Sequence, residues 1–231
     1  MARMPINPMS MTPTTISARP AMQDRGETMF DSLREYGRPA FYALLGAALI
    51  AGGVVVYNRS KATNAARADQ ALSEVQRSLG SGNASLAAAD LRKLVTRYEG
   101  TPSAVQGTML LAQMLYDQGK PNEGLKLLRD LQGDRAARDY GAAIASLVAA
   151  GLEQQGKPAE AAREYERAAA EARFEVERAN YRADAARAFM VAGNKAAARK
   201  IWSELSADPA GPVAAEARVR LGELTATAAS R

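Results

Sequence analysis

Cysteine and histidine are both missing from this 231-residue chain. Their absence excludes disulfides, thiolate nucleophiles, imidazole general bases and zinc sites built on Cys or His ligands. Aromatic residues are scarce at 6%. Charge of one sign is not dominant either. Lys and Arg number 30 against 25 Asp and Glu, a net charge of +5 that gives a weak prior for anionic partners and no argument for nucleic acid. What is abundant is alanine, about fifty residues and roughly a fifth of the chain, a composition suited to helices packed closely together. Metal-carboxylate or purely carboxylate chemistry remains possible on this composition, and most other catalysis does not. The length allows one or two domains with a real core.

Long apolar runs are also lacking, with one exception near the N-terminus. Residues 1–28 carry Pro5, Pro8, Pro13 and Pro20 without apolar periodicity and are expected to be a disordered tail, with Met22 and Met29 as alternative starts. Met29, Phe30, Leu33 and Tyr36 then fall at helical spacing and suggest a juxtamembrane helix at the interface. Ala40 to Tyr57, AFYALLGAALIAGGVVVY, is uncharged. At 1.5 Å per residue it rises about 27 Å, close to the roughly 30 Å of a hydrocarbon core. A cleaved signal peptide fits poorly, because nearly forty residues precede the run and Ala66-Arg67-Ala68 lies beyond two cations. A buried core helix fits poorly too, because the run is apolar on every face. A single uncleaved anchor within residues 29–61 is the favoured reading. Arg19, Arg25, Arg34 and Arg38 before it balance Arg59, Lys61, Arg67 and Arg77 after it, so the positive-inside rule leaves orientation open. Ala43, Ala47 and Ala51 repeat every four residues and form a candidate packing row for another membrane helix.

Residues 62–231 are polar and self-similar. Gly82, Gly119, Gly156 and Gly193 recur with a period of 37. Five positions after each stands a small residue: Ala87, Gly124, Ala161 and Ala198. Nine positions after stand Leu91, Leu128, Tyr165 and Trp202, and twelve after stand Leu94, Leu131, Ala168 and Leu205. Ala112, Ala149 and Ala186 lie seven positions before the last three glycines, and Leu115, Leu152 and Phe189 lie four before. These offsets put each set on one helical face, so the unit is helix, glycine turn, helix, and such hairpins must stack to bury their apolar faces. Pro158 fits a first helical turn, and Thr101-Pro102 fits an N-cap with Pro at N1. Helices are predicted near 62–79, 84–98, 103–118, 122–132, 135–154, 158–172, 175–191, 195–206 and 212–227.

The pattern of a small residue before the turn, Gly at it, and small then bulky after it resembles the tetratricopeptide repeat, although the period of 37 departs from the usual 34. The expected fold is therefore all-α: a single N-terminal transmembrane helix, then a tetratricopeptide-like solenoid of about four units with a C-terminal capping helix. The anchor, the alanine-rich helix after it and the segment Tyr98 to Pro102 are similar to the family of single-spanning ancillary subunits of the bacterial Sec translocon. That resemblance implies a bacterial inner-membrane location with a cytoplasmic N-terminus and periplasmic repeats. It also implies contact with the translocon and with periplasmic chaperones or clients.

No constellation of catalytic residues stands out. Glu164/Glu166, Glu171/Glu175 and Asp130/Asp134 are carboxylate pairs, but cations such as Arg163, Arg167 and Arg173 accompany them, as on a solvated face. Arg92-Lys93 and Arg199-Lys200 lack interleaved aromatics and read as exposed helix surface. No enzyme activity, cofactor, metal or nucleic-acid partner is expected. In the family it resembles, first helices line the inner groove. Counting back from the turn glycines gives Gln106, Gln113, Tyr116, Ala143, Ala150, Asn180 and Arg187 as groove candidates for a protein partner. Trp202 and Tyr165 are expected in the core. The primary reading is a membrane-anchored repeat scaffold in protein export or envelope protein handling. The alternative is a structural accessory subunit of another membrane complex, docked through its transmembrane helix.

Overall fold

The computed structural model describes the backbone of residues 24–229 and the side chains of residues 41–226, and every regular element among them is helical. Helix α1 runs from Asp24 to Gly80 without a break. It begins five residues ahead of Met29, where the tail was expected to end, and residues 1–23 of that tail lie outside the described residues. The side chains of Met29, Phe30, Leu33 and Tyr36 also lie outside them. The anchor expected within 29–61 and the helix predicted near 62–79 are thus one helix; residues 58–62 contain neither Gly nor Pro, so nothing there stops it.

The chain divides into two compact units, one up to Asn58 and one from Arg59 onward. In the first, α1 is long and apolar enough to cross a membrane, and it is the one such helix among the described residues. Its large side chains stand open, including Phe41, Leu44, Leu49, Ile50 and Val56.

The second unit stacks helical hairpins. The C-terminal part of α1 shares a buried cluster with α2 (Ala84–Arg97). Helix α3 (Pro102–Asp117) pairs with α4 (Pro121–Asp130), α5 (Gly141–Gln154) with α6 (Pro158–Glu171), and α7 (Glu175–Val191) with α8 (Lys195–Ser206), and α9 (Ala214–Ala229) packs on α8. That is four units and a closing helix. The predicted helix over 135–154 is divided: Arg135–Tyr140 is a 3-10 turn and α5 starts at Gly141. The Asp134 carboxylate accepts from the Ala136 amide at 2.9 Å and tightens this turn. Gly141, a poor helix residue, then sits where the α-helix begins.

Each 37-residue glycine closes its first helix in the same way. Gly82, Gly119, Gly156 and Gly193 have φ between 70° and 80°, the left-handed region that residues with a Cβ enter only at a cost. At Gly119 the amide donates to the Tyr116 carbonyl (2.9 Å) and the Lys120 amide to the Leu115 carbonyl (2.8 Å). This is the doubly bonded Schellman termination, and the equivalent pairs form at the other three turns. The following helix starts by one of two routes. Asn83 and Asn194 cap α2 and α8 with their side-chain oxygens, whereas Lys120 and Lys157 make no cap bond and are followed by Pro121 and Pro158 at N1. Between the first two hairpins, Gly100 takes a left-handed φ of 75° and Thr101 caps α3 by accepting from the Ala104 amide at 3.2 Å. The Tyr98–Pro102 segment is thus a helix-start device.

Packing follows the offsets. Ala87, Ala161 and Ala198 after the turns, and Ala112, Ala149 and Ala186 before them, are fully buried. Leu91, Leu128 and Trp202 at the bulky position are fully buried as well, and Tyr165 nearly so. Small residues let paired helices approach, and the large ones fill the space between units. The buried side chains form two clusters. One joins α1, α2 and α3 through Leu72, Val75, Leu91 and Leu111, and the other runs from Val105 to Leu224.

Candidate protein-binding face

Polar contacts bridge first helices of successive units. Asp69 on α1 accepts from the Ser103 hydroxyl at the start of α3. The Gln106 side-chain amide donates to the Tyr140 hydroxyl at 2.7 Å, and Asp139 pairs with Arg173 ahead of α7. Arg187 on α7 makes a two-pronged contact with Glu216 on α9, at 2.9 and 2.7 Å, and also pairs with Asp184. The Arg187 hydrogen bond holds the Glu216 carboxyl below its usual range, while burial pushes the Asp184 carboxyl up despite the nearby guanidinium.

The expected groove residues divide accordingly. Gln113 and Asn180 are exposed, whereas Ala143 and Ala150 are half-buried. Gln106 is exposed and Arg187 largely so, but both are already committed to neighbouring units. Tyr116 is corrected: it is a core side chain, 6% exposed, and not part of a groove. Its ring lies where a Cβ on Gly124 or Gly151 would stand. Two in-helix glycines therefore make room to draw the ring inward. They were the available signal, since Gly124 occupies the position where other units carry alanine. Burial pushes the Tyr116 phenol up to about 12, and its hydroxyl has no partner among the described residues. Tyr165 instead donates to the Glu153 carboxylate at 3.1 Å, and burial with that carboxylate raises its pKa.

Two of the paired carboxylates meet cations on their own helices, Glu164 half-buried and Glu175 exposed. Glu164 pairs with Arg167 at 2.8 Å and Glu175 with Arg178 at 2.5 Å, each one turn apart on its own helix. Ala43, Ala47 and Ala51 lie exposed along α1.

One surface groove has Ala143 alone as its counterpart among the expected groove residues. A groove of about 360 Å³ opens where α5 and α7 begin, bordered by Tyr140, Phe174 and Tyr181. Phe174 is 67% exposed and its neighbour Val176 is 56% exposed. Tyr140 and Phe174 hold the N-cap positions of α5 and α7, and neither supplies a capping bond. The groove arises at the 3-10 turn that divides the predicted 135–154 helix, which is why uniform helical periodicity concealed it.

No curated protein matches the chain in sequence. Among solved structures, the repeats resemble a kinesin-light-chain-type protein of Podosopora anserina with nearly identical TPR-like repeats. The two are 18% identical, with a TM-score of 0.58 over 71% of this chain and 88% of that one. A singly substituted form of the same Podosopora protein gives the same values. At this identity the likeness establishes the fold. The family model for the tetratricopeptide repeat-like domain matches residues 33–223. With four glycine-turned hairpins and a match over most of its length, the chain belongs to the tetratricopeptide repeat-like family.

Proposed function

We propose that the chain is a membrane-anchored scaffold whose repeats hold protein partners during protein export or envelope protein handling. Repeats of this family generally mediate protein–protein interaction and are typically non-catalytic, and the reading assigns this chain no enzyme activity. The apolar segment of α1 would cross a bacterial inner membrane once, with the N-terminus in the cytoplasm and the repeats in the periplasm. The layout of anchor and repeats, with its resemblance to the Sec ancillary subunits, favours the translocon and periplasmic chaperones as partners.

The observation that carries the anchor is the exposure of Phe41 to Tyr57. Ten large apolar side chains in this stretch are exposed. At about 1.5–3 kcal/mol for burying each one, their transfer to hydrocarbon is worth on the order of 10 kcal/mol even when only half of each gains cover. A continuous helix meanwhile satisfies its own backbone in lipid. Anchoring also raises effective concentration at the membrane, so modest contacts in the repeats suffice.

Purification of the tagged chain from solubilised membranes is expected to recover translocon or periplasmic proteins. Protease added to intact spheroplasts is expected to digest the repeats. Protection of the repeats, with recovery of cytoplasmic proteins alone, would refute the reading. The exposed row of Ala43, Ala47 and Ala51 supports a second reading, docking of α1 against another membrane helix. Under it, replacing the three alanines with leucine abolishes assembly while the repeats still bind their client.

A further inference from the structure

We propose that the groove between the starts of α5 and α7 is a docking site for an extended polypeptide segment in which a large apolar side chain stands next to lysine or arginine. The proposal rests on the scaffold reading and gives it a specific site. Its first support is local conflict. An N-cap is stabilised by Ser, Thr, Asp or Asn, whose side chains accept an orphan amide, and the chain uses Asn83, Thr101 and Asn194 in this way. At α4 and α6 the uncapped Lys120 and Lys157 are followed by Pro at N1, whereas α5 and α7 start from Tyr140 and Phe174 with neither device. Phe174 is moreover left mostly in water. Tyr140 packs against the core, so Phe174 is the position where a local rule is broken with no gain in packing, and such positions are where function is sought.

The second support is the shape of the groove. Gly141, Ala142 and Ala143 keep the start of α5 slender along one side, and a Cβ at Gly141 would collide with the Glu171 carboxylate. Tyr140 is held by the Gln106 side chain, and the Asp139–Arg173 pair ties the rim of one unit to the next. A space of about 360 Å³ takes one large side chain with a few flanking backbone atoms, at the small end of the range for binding pockets. Aromatic walls offer such a side chain large contact area at low entropic cost.

Charge then selects the neighbour. With Asp139 and Arg173 paired, the remaining charged rim is Arg138 against Glu171 and Glu177. A rim of both signs with a small acidic excess disfavours anionic lipid or nucleic acid. It complements a cation beside the apolar anchor.

The test uses the full chain in detergent micelles and two fluorescein-labelled peptides, Gly-Lys-Phe-Lys-Gly and Gly-Glu-Phe-Glu-Gly. Fluorescence anisotropy is expected to show binding of the lysine peptide and at least fivefold weaker binding of the glutamate peptide. Phe174→Asn should weaken the lysine peptide at least fivefold while leaving the thermal midpoint unchanged or raised, since Asn is the better cap. Glu177→Lys should narrow or reverse the preference between peptides. Equal binding of both peptides, or undiminished binding by the Phe174→Asn chain, overturns the proposal. So does a Phe174→Asn chain whose one change is lost self-association in sedimentation, because the occupant is then a second copy. Recovery of the same membrane partners by wild type and Phe174→Asn removes this site and leaves the scaffold standing. Recovery of none by wild type removes the scaffold reading itself.

Discussion

Trp202 offers the sharpest check on the packing argument, because two effects at one side chain oppose each other. It is fully buried at 0% exposure, yet its indole Nε1 has no hydrogen-bond partner among the described residues. Truncation to alanine removes the largest fully buried side chain of the repeats and is expected to cost about 3–5 kcal/mol. Trp202→Phe is different. The smaller ring leaves a residual cavity of about 40 Å³, which at roughly 24 cal/mol per Å³ costs about 1 kcal/mol. It also removes a buried unpartnered N–H, whose desolvation costs about 1–3 kcal/mol. With up to about 1 kcal/mol more for the apolar surface removed, these terms oppose each other, so Trp202→Phe is expected to fall between about 1 kcal/mol less stable and about 2 kcal/mol more stable. Urea unfolding of the full chain in detergent, followed by circular dichroism, measures both variants. Comparison of the slopes also shows whether the stack still unfolds as one unit. If Trp202→Phe is destabilised as far as Trp202→Ala, the N–H is satisfied in solution and the accounting is wrong.

Gly156→Ala, at φ 70°, should cost about 1–2 kcal/mol for a left-handed non-glycine residue. Gly222→Ala, in α9 with open space around it, should be neutral or stabilising by up to about 1 kcal/mol, and differential scanning of the two variants separates them. Tyr116→Phe should be neutral or slightly stabilising because its hydroxyl has no partner, whereas Gly151→Ala should cost about 1–3 kcal/mol by overpacking. Absorbance titration near 295 nm should show one tyrosine ionising close to pH 12, lost in Tyr116→Phe. Asp184 and Glu216 should act in opposite directions. The lowered Glu216 pKa contributes stability that is present above its unfolded value and lost as pH falls through the folded one, whereas the raised Asp184 pKa costs stability at neutral pH and is relieved on acidification. Both side chains are about one-third exposed, so screening limits each effect to less than about 1 kcal/mol. Urea midpoints across pH 3–7 should fall for Glu216→Gln at the neutral end and hold or rise for Asp184→Asn. Equal losses would show that Asp184 is stabilised by Arg187 more than burial costs it.

The repeat was legible because backbone necessity and packing coincide in it. A residue that must take φ near 70° is almost always glycine, so Gly82, Gly119, Gly156 and Gly193 mark the turns without reference to anything distant. The alanines flanking them mark where helices touch. Tyr116 was misplaced for a related reason. Its offset from Gly119 puts it at the margin of the helix, and its inward turn depends on room provided by Gly151, on the next unit's helix. Periodicity measured within one unit carries no information about space supplied by the next. The groove at Tyr140 and Phe174 was illegible for a different reason. A helix-period reading takes the 135–154 stretch as uniform, whereas the local bond from Ala136 to Asp134 turns its first six residues into a 3-10 segment and carries Tyr140 to a cap position. Capping logic still held a usable signal there. Phe174 precedes two acidic residues of a first helical turn, Glu175 and Glu177, where Ser, Thr, Asp or Asn is expected. An aromatic residue in a capping slot is a mismatch detectable without coordinates. In a stack whose other helix starts from α2 to α8 use either a capping side chain or Pro at N1, that mismatch is the better guide to where a partner binds.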